Sequence, residues 1–545
     1  MRLHIMSTTL GIHDGHNASA ALIRGGKIEM ALQEERLTRV KNQGDAPQGV
    51  LKLIGERPGR VALNGLYCNY GQWLREVIER DYDRSARWKQ PLKGTLIDRA
   101  YQQRKAAMRE KALARLGVER MEAVEHHTAH ASAAYSTCPF EGALVFTCDG
   151  SGDRVSATLS IGEQRIAEVS EHDSIGRLYA MVTRYLGMSP LEHEYKVMGL
   201  APYGRGEDIA RSLRELFEFQ GLKWKRRKGV PSMYGAPDFL GPILKGKRFD
   251  AVAAGAQGFL ERILTDWVRR AVRETGIRKI ACSGGVFMNV KANLALLSLA
   301  EVEEMYVFPS CGDESNSIGA ACHVAARAGE KIQPLGAIYF GDPITDEEAE
   351  AALAGARGLK IRYCADIESV AAENLAAGRI VARCKGAAEF GARALGNRSI
   401  LARADSLGSV RTINRMIKNR DFWMPFAPSV LAGRAEDYYI KPKPVTSPYM
   451  MFAFESRPEK RASFAAAMHP WDFTTRPHEV FEAHNPDYCR LLRELESRTG
   501  EAIVLNTSFN LHGEPMVYRA RDAVDVFLRS GLERMALANW WVEKT

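Results

Sequence analysis

No two of the nine cysteines stand in a C-x-x-C pair, and their number is odd. That pattern excludes a zinc ribbon and a disulfide framework and points to reduced thiols in a cytoplasmic protein. Nowhere is there a run of about 18 apolar residues, and the opening MRLHIMSTTLGIHDG has too short an apolar core for a signal peptide, so neither a membrane span nor export is expected. Acidic residues are in deficit: 66 Asp+Glu stand against 75 Lys+Arg, a formal charge of +9, which favours anionic ligands without identifying them. What is present is ordinary for a globular chain. The 46% hydrophobic and 26% charged residues exclude collagen, wholesale disorder and a long coiled coil. At roughly 150 residues per domain, 545 residues suggest roughly two to four domains.

Strand and turn signals repeat along the chain. Leu3–Ile12 reads as a strand that breaks at Gly11-Ile12-His13-Asp14-Gly15-His16-Asn17, and Ala18–Ile23 turns through Gly25-Gly26 into Lys27–Gln33. The same grammar returns where Ala143–Cys148 ends in Asp149-Gly150-Ser151-Gly152 and leads into a second hairpin through Ser156–Gly162, which predicts an internal duplication. Lys279–Cys282 runs into Ser283-Gly284-Gly285, and Glu304–Phe308 precedes Gly312-Asp313 and an Ala-rich helix. Strands that end in Gly/Asp loops before helices are where an α/β sheet places a nucleotide. Two basic segments interrupt this pattern. Arg104–Arg120 reads as a solvated helix face, and Lys223-Trp224-Lys225-Arg226-Arg227-Lys228 as a loop that is either plain surface or a phosphate contact. The polar stretch at Lys331–Pro334 sets an expected domain boundary, 1–335 and 336–545.

Glu125-His126-His127-Thr128-Ala129-His130 opens an Ala/Ser-rich helix, on which positions i and i+4 share a face; His126 and His130 can therefore offer two imidazoles to one cation. Asp149 and Asp313, each beside a glycine at a strand end, are candidate oxygen ligands, or else turn and helix caps. A His₂Asp₂ shell suits iron, manganese or zinc. Gly284-Gly285 with Asn289, and Ser151-Gly152, can bring backbone amides close to phosphate or adenine, and each is equally consistent with ordinary turns. In the C-terminal part, Glu389–Ser399 places Arg393 and Arg398 in a Gly-punctuated loop suited to bidentate oxyanion recognition. Lys418, Arg420, Arg476 and Ser508 add anion contacts, or surface salt bridges.

These residues converge on a family. Over nearly its whole length the chain resembles the O-carbamoyltransferases of the nodulation, tobramycin and hydroxymethylcephem type. The resemblance rests on His16-Asn17-Ala18-Ser19-Ala20-Ala21-Leu22, Glu34-Glu35-Arg36-Leu37-Thr38-Arg39, His126–Ala131, Lys196–Ala201, Gly284-Gly285-Val286, Arg393–Ser399, Pro425-Phe426-Ala427-Pro428 and Asn506-Thr507-Ser508-Phe509-Asn510, in the family's order. It implies an α/β protein with an N-terminal actin/sugar-kinase-like domain, akin to the threonylcarbamoyl-transferase fold, and a C-terminal domain akin to threonylcarbamoyl-AMP synthase. It also implies a reaction in which carbamoyl phosphate and ATP, with magnesium, give carbamoyladenylate, whose carbamoyl group passes to an alcohol at a site holding an iron-type divalent ion. His126, His130, Asp149 and Asp313 match the metal ligands. Lys41, Ser151, Gly152, Gly285 and Asn289 match positions around the adenylate; Arg393, Arg476 and Ser508 match the carbamoyl-phosphate and ATP site, to which Arg398, Lys418, Arg420 and Asn506 are added as candidates. His16, beside Asp14, matches the position near the transferred group and is the expected base, with His13 second to it.

The sequence departs from the family pattern in places. Met424 stands where the family usually has an arginine, a contact that Arg420 or Lys418 can take over. Phe473 replaces a glycine, the spacing from His469 to Asp472 is one residue longer, Asp153 replaces a glutamate and His193 a glycine. The acceptor is expected to be a secondary-metabolite or sugar alcohol, or alternatively a hydroxymethylated base of a nucleotide or DNA. tRNA threonylcarbamoyl transfer and a non-catalytic nucleotide- or nucleic-acid-binding role are the competing readings.

Overall fold

Three strands at the N-terminal end, β1 (Thr8–His13), β2 (Ser19–Arg24) and β3 (Lys27–Gln33), form an antiparallel meander, with Gly25 and Gly26 at φ 56° and 77° supplying the left-handed backbone its tight turn requires. β4 (Arg60–Asn64) then adds parallel to β1, and β5 (Glu122–Val124) parallel to β4. The computed structural model describes residues 7–55, 58–66, 96–114, 117, 121–235, 237–418 and 420–545. Residues 3–6 of the expected first strand, and residues 115, 116 and 118–120 of the expected basic segment, lie outside them; residues 104–114 of that segment belong to a helix, Leu96–Ala114.

The arrangement recurs. β6 (Leu144–Gly152), β7 (Val155–Ile161) and β8 (Gln164–Ser170) form a second meander, with β11 (Lys279–Ser283) parallel to β6 and β12 (Glu304–Val307) parallel to β11. The sheet orders are β3-β2-β1-β4-β5 and β8-β7-β6-β11-β12. Each is three antiparallel strands followed by two parallel ones on the other side of the first, so the expected duplication is present. β1, β11 and the Leu144–Cys148 part of β6 are buried along almost all of their length, as strands covered on both faces must be, whereas β8 alternates exposed positions with half-buried or buried ones at a sheet edge.

Helices α1 (His126–Ser136) and α3 (Asn316–Arg327) pack on each other, and α3 also lies against β1, β2 and β4. The approach is close enough to demand glycine. A Cβ on Gly319 would stand 1.9 Å from the Ala129 carbonyl oxygen, and one on Gly11 1.8 Å from that of Ser317. This contact sets the start of α1 beside the loop that leads into α3.

Residues 223–226 of the basic run form a strand rather than a loop, and Arg227 and Lys228 follow it in a turn. β9 (Phe217–Gln220) and β10 (Lys223–Arg226) form a hairpin. Trp224 is buried, donates Nε1–H to the Asp173 carbonyl at 2.9 Å and meets Trp267 of the long helix α2 (Phe249–Thr275) edge to face at 4.9 Å. Arg226 pairs with Asp173 at 2.5 Å and Lys225 with Glu218 at 3.8 Å. Alternation puts the aromatic in the core and leaves lysines on the outer face.

The chain divides into two compact units, residues 1–38 with 42–335, and residues 39–41 with 336–545. In the second, β13 (Leu359–Tyr363), β14 (Val381–Cys384), β15 (Arg398–Arg403), β16 (Ala427–Leu431), β17 (His478–Val480), β18 (Ile503–Ser508), β19 (Arg534–Leu537) and β20 (Trp540–Lys544) form one mixed sheet in the order β13-β20-β19-β14-β15-β18-β16-β17. Helix α4 (Pro486–Thr499) packs Leu491, Leu492 and Leu495 with Ala371 and Leu375 of the helix Ile367–Ala376 over Val504 and Trp541. Among the described residues no helix is long and apolar enough to cross a membrane.

Candidate functional site

In the first unit, His126, His130, Asp149 and Asp313 offer ligand atoms that all lie within 4.8 Å of one another. His130 Nε2 stands 3.2 Å from Asp149 Oδ2 and 3.7 Å from Asp313 Oδ1; His126 Nε2 stands 3.6 and 3.5 Å from the same two carboxylates. Four donors bound to one ion at about 2.1 Å sit about 3.0–3.4 Å apart, so these separations fit a coordination shell. His126 Nε2 is buried and makes no hydrogen bond. Burial would depress the His126 imidazole, but the carboxylates of Asp313 and Asp149 overcome it and raise its pKa to about 10. Burial works against the Asp149 charge, yet His126 and His130 hold that carboxyl well below its ordinary range. The cluster thus draws positive charge into a buried position, which a divalent cation satisfies better than two mutually repelling imidazoliums.

Neighbours fix the donors. Asp153 accepts the backbone N–H of His126 at 2.8 Å, and Ser283 Oγ lies 3.2 Å from His130 Nδ1. His127 turns the other way, its Nδ1 2.8 Å from Thr147 Oγ1 and its Nε2 3.1 Å from the Val155 carbonyl oxygen. Ser283 carries no signal in the sequence beyond lying beside Gly284, and Asp153 shows only as a departure from the glutamate of the family pattern. Gly152 has a tighter task than backbone approach to a ligand: a Cβ there would lie 2.0 Å from His126 Cγ. Gly152→Ala is therefore expected to push the imidazole off the cluster and weaken metal binding about ten- to a hundredfold, as loss of a supporting contact typically does. Metal content after dialysis against graded chelator measures it, and unaltered retention would count against the placement.

His16 Nδ1 is 3.4 Å from Asp313 Oδ2, so the structure brings this expected base to the edge of the cluster. Asp14 is directed elsewhere: its carboxylate faces Arg109 at 3.7 Å, and burial raises its pKa to about 6. Gly285 lies against Asp149, where a Cβ would be 3.1 Å from Oδ1. Ser151 Oγ accepts from Arg177 at 2.9 Å and lies 3.3 Å from Tyr234 Oη, while the Arg177 guanidinium sits 3.8 Å over the Tyr234 ring. Asn289 caps the helix Val290–Leu297 and exchanges amide hydrogen bonds with Gln257 at 2.8 and 3.0 Å. Lys41 belongs to the second unit with Arg39, which donates to the carbonyl oxygens of Met516 at 2.6 Å and Pro515 at 2.8 Å.

The second unit holds a cluster of cations. Lys418, only 4% exposed, donates Nζ–H to Asn510 Oδ1 at 2.7 Å, Ser508 Oγ at 3.0 Å and the Asn510 carbonyl at 3.3 Å, all neutral oxygens. Burial and the charge of Arg420 push its pKa well down. Arg420 donates to Thr507 Oγ1 at 3.0 Å and stacks 4.6 Å from Phe426. Burial and the guanidiniums of Arg393 and Arg420 likewise push Arg476 down, and its buried Nε has no hydrogen-bond partner. A buried ammonium bonded to neutral oxygens, and a buried guanidinium whose Nε has no partner, call for an anion.

Arg398 does not join them. It is fully buried, its Nε donating to the Tyr518 carbonyl at 3.0 Å and a terminal nitrogen to the carbonyls of Lys385, Gly386 and Asn397. Asn506 Nδ2 donates to the Ala394 carbonyl and Ser429 Oγ at 2.9 Å each, while its buried Oδ1 has no hydrogen-bond partner. Glu389, which opens the Gly-punctuated run, accepts the backbone N–H groups of Leu395, Asn397 and Arg398 with Oε1 and so shapes the loop that presents Arg393. Phe473 sits at φ 57°, the left-handed conformation that suits a glycine, with Arg461 4.0 Å over its ring. His469 spends Nδ1 on the N–H groups of Trp471 and Asp472, within its own turn.

The Carbamoyltransferase N-terminus family model matches residues 8–322, and the Carbamoyltransferase C-terminus model residues 372–544. The chain is similar to the nodulation protein NolNO of Sinorhizobium fredii, 31% identical over 97% of this chain and 79% of that one. It is similar to the nodulation protein NolO of Bradyrhizobium diazoefficiens, 33% identical over 77% of this chain and 79% of that one. An uncharacterized protein of Methanocaldococcus jannaschii is 32% identical over 98% of this chain and 99% of its own length.

Proposed function

Because the chain belongs to the carbamoyltransferase family, we propose that its two clusters serve successive halves of one reaction, ATP-dependent O-carbamoylation of an alcohol. In the first half, carbamoyl phosphate, water and ATP give carbamoyladenylate, phosphate and pyrophosphate. In the second, an acceptor hydroxyl takes the carbamoyl group and AMP leaves. The observation that carries this is His16 at 3.4 Å from one of four clustered metal donors.

Lys418, Arg420, Arg476 and Arg393 would hold the two polyanionic substrates of the first half, neutralising the charge that otherwise keeps them apart. Ser508 and Asn510 aim the Lys418 ammonium. His126, His130, Asp149 and Asp313 would hold a divalent ion, iron, manganese or zinc, which when bound supplies a Lewis acid for the carbamoyl carbonyl. His16 has Nδ1 turned to Asp313, which leaves Nε2 to take the proton of the acceptor hydroxyl. A small polyhydroxyl acceptor fits better than DNA, because the strand Lys223–Arg226 commits Trp224 to the core and Arg226 to Asp173.

The test supplies ATP and carbamoyl phosphate, follows pyrophosphate and AMP, and screens a panel of alcohols by mass spectrometry for carbamoyl adducts. Pyrophosphate release that depends on carbamoyl phosphate, with AMP release that depends on the metal, is the expected result. AMP formation with threonine and bicarbonate instead would overturn it.

A further inference from the structure

His13 is buried at 4% exposure between two fixed groups, which makes its hydrogen bonding decidable. Its Nε2 is 3.0 Å from the carbonyl oxygen of His16, and its Nδ1 is 2.8 Å from the atom placed as Oδ1 in the side-chain amide of Asn64, the last residue of β4. A carbonyl oxygen only accepts, so Nε2 carries a hydrogen. A neutral imidazole has one N–H, so Nδ1 is then an acceptor and needs a donor. The two ends of an asparagine amide are nearly equivalent in shape. Asn64 Nδ2 is otherwise buried with no partner, and turning the amide over places its N–H on Nδ1. The carbonyl end left over is the less costly group to leave without a partner. An imidazolium donating both ways would instead bury a charge, and burial outweighs the favourable Asp313 carboxylate and depresses this imidazole to about 4.

The turn that carries His16 is wound around this ring. A Cβ on Gly15 would lie 2.7 Å from His13 Cε1 and Nε2, so residue 15 passes where only a glycine fits, and Asn17 closes the turn at φ 60°. We propose that His13 is a positioning residue of the transfer site: a neutral imidazole, protonated on Nε2, that ties the His16 carbonyl to Asn64 and so holds the His16 ring against Asp313. The proposal rests on the transfer role given to His16, but the state of the ring can be read without any activity.

The full-length protein labelled with ¹⁵N-histidine, the His13 signal identified by its loss in His13→Gln, should show the Nε2–H tautomer from pH 6 to 8. An Nδ1–H tautomer or an imidazolium in that range would overturn the proposal. In kinetics, AMP release from supplied carbamoyladenylate, with water as acceptor, should fall about ten- to a hundredfold in His13→Ala, the scale of a small misplacement of a reacting group. His13→Gln, whose amide N–H can still reach the His16 carbonyl, should recover most of the rate, and pyrophosphate release from ATP and carbamoyl phosphate should be unaltered in both. A full rate in His13→Ala, or no recovery in a folded His13→Gln, would sink the positioning role. If the unaltered protein itself releases no AMP, the transfer reading fails, and the tautomer still decides what His13 does.

Discussion

Replacing His130 by alanine is expected to remove carbamoyl transfer, by on the order of a thousandfold, while pyrophosphate release from ATP and carbamoyl phosphate continues. The size follows from the several kcal/mol that a Lewis acid contributes to a developing oxyanion. His130 is fully buried and its Nε2 is 3.2 Å from Asp149 Oδ2, so the substitution removes one of four donors and leaves two carboxylates facing a single imidazole. The measurement is paired: metal content of the purified protein, and AMP formed from supplied carbamoyladenylate. Adding Fe(II), Mn(II) or Zn(II) in turn to chelated, unaltered protein should restore AMP release with at least one of them and with none in His130→Ala. Transfer that survives in a variant shown to bind no metal would remove the ion from the reaction.

The candidate metal cluster was legible because its parts obey local rules. His126 and His130 are one helical turn apart on a helix whose start is marked by Glu125, which caps it, and Asp149 and Asp313 each adjoin a glycine, one near the end of β6 and the other opening the short helix Asp313–Ser315. The duplication was legible too, since each half begins with a hairpin whose turn residues show in the sequence. What sequence reasoning missed depends on approach between distant segments. Gly152 reads as a residue that clears space for a ligand, yet the atom it clears space for belongs to His126; Gly319 reads as any helix glycine, yet it admits the Ala129 carbonyl. Arg398 shares a loop and a chemistry with Arg393, and spacing alone cannot separate one that grips backbone carbonyls from one that faces the Arg476 guanidinium. The basic run at 223–228 misled for a related reason. Charge is visible in a composition, whereas the alternation that buries Trp224 shows only against a partner strand.

A second large effect is expected at Arg476, and there stability and activity should move in opposite directions. Its guanidinium is held among Arg393 and Arg420, which push its pKa down, and its buried Nε lacks an acceptor. Without an anion that arrangement is a cost to the folded state, because buried like charges repel and an unpaired buried donor has lost its water. Arg476→Met keeps the length and apolar volume of the side chain and removes the charge, so the variant should melt at a higher temperature than the unaltered protein. Pyrophosphate release should meanwhile fall about a hundredfold or more, the loss typical when one electrostatic contact to a developing charge is removed. A third measurement ties the two together. Pyrophosphate added to the unaltered protein should raise its Tm, since a ligand bound only by the folded state stabilises it by mass action, and should raise that of Arg476→Met much less. A variant that melts lower and responds to pyrophosphate as before would mean that Arg476 already has its counter-charge within the protein, and that the anion binds elsewhere.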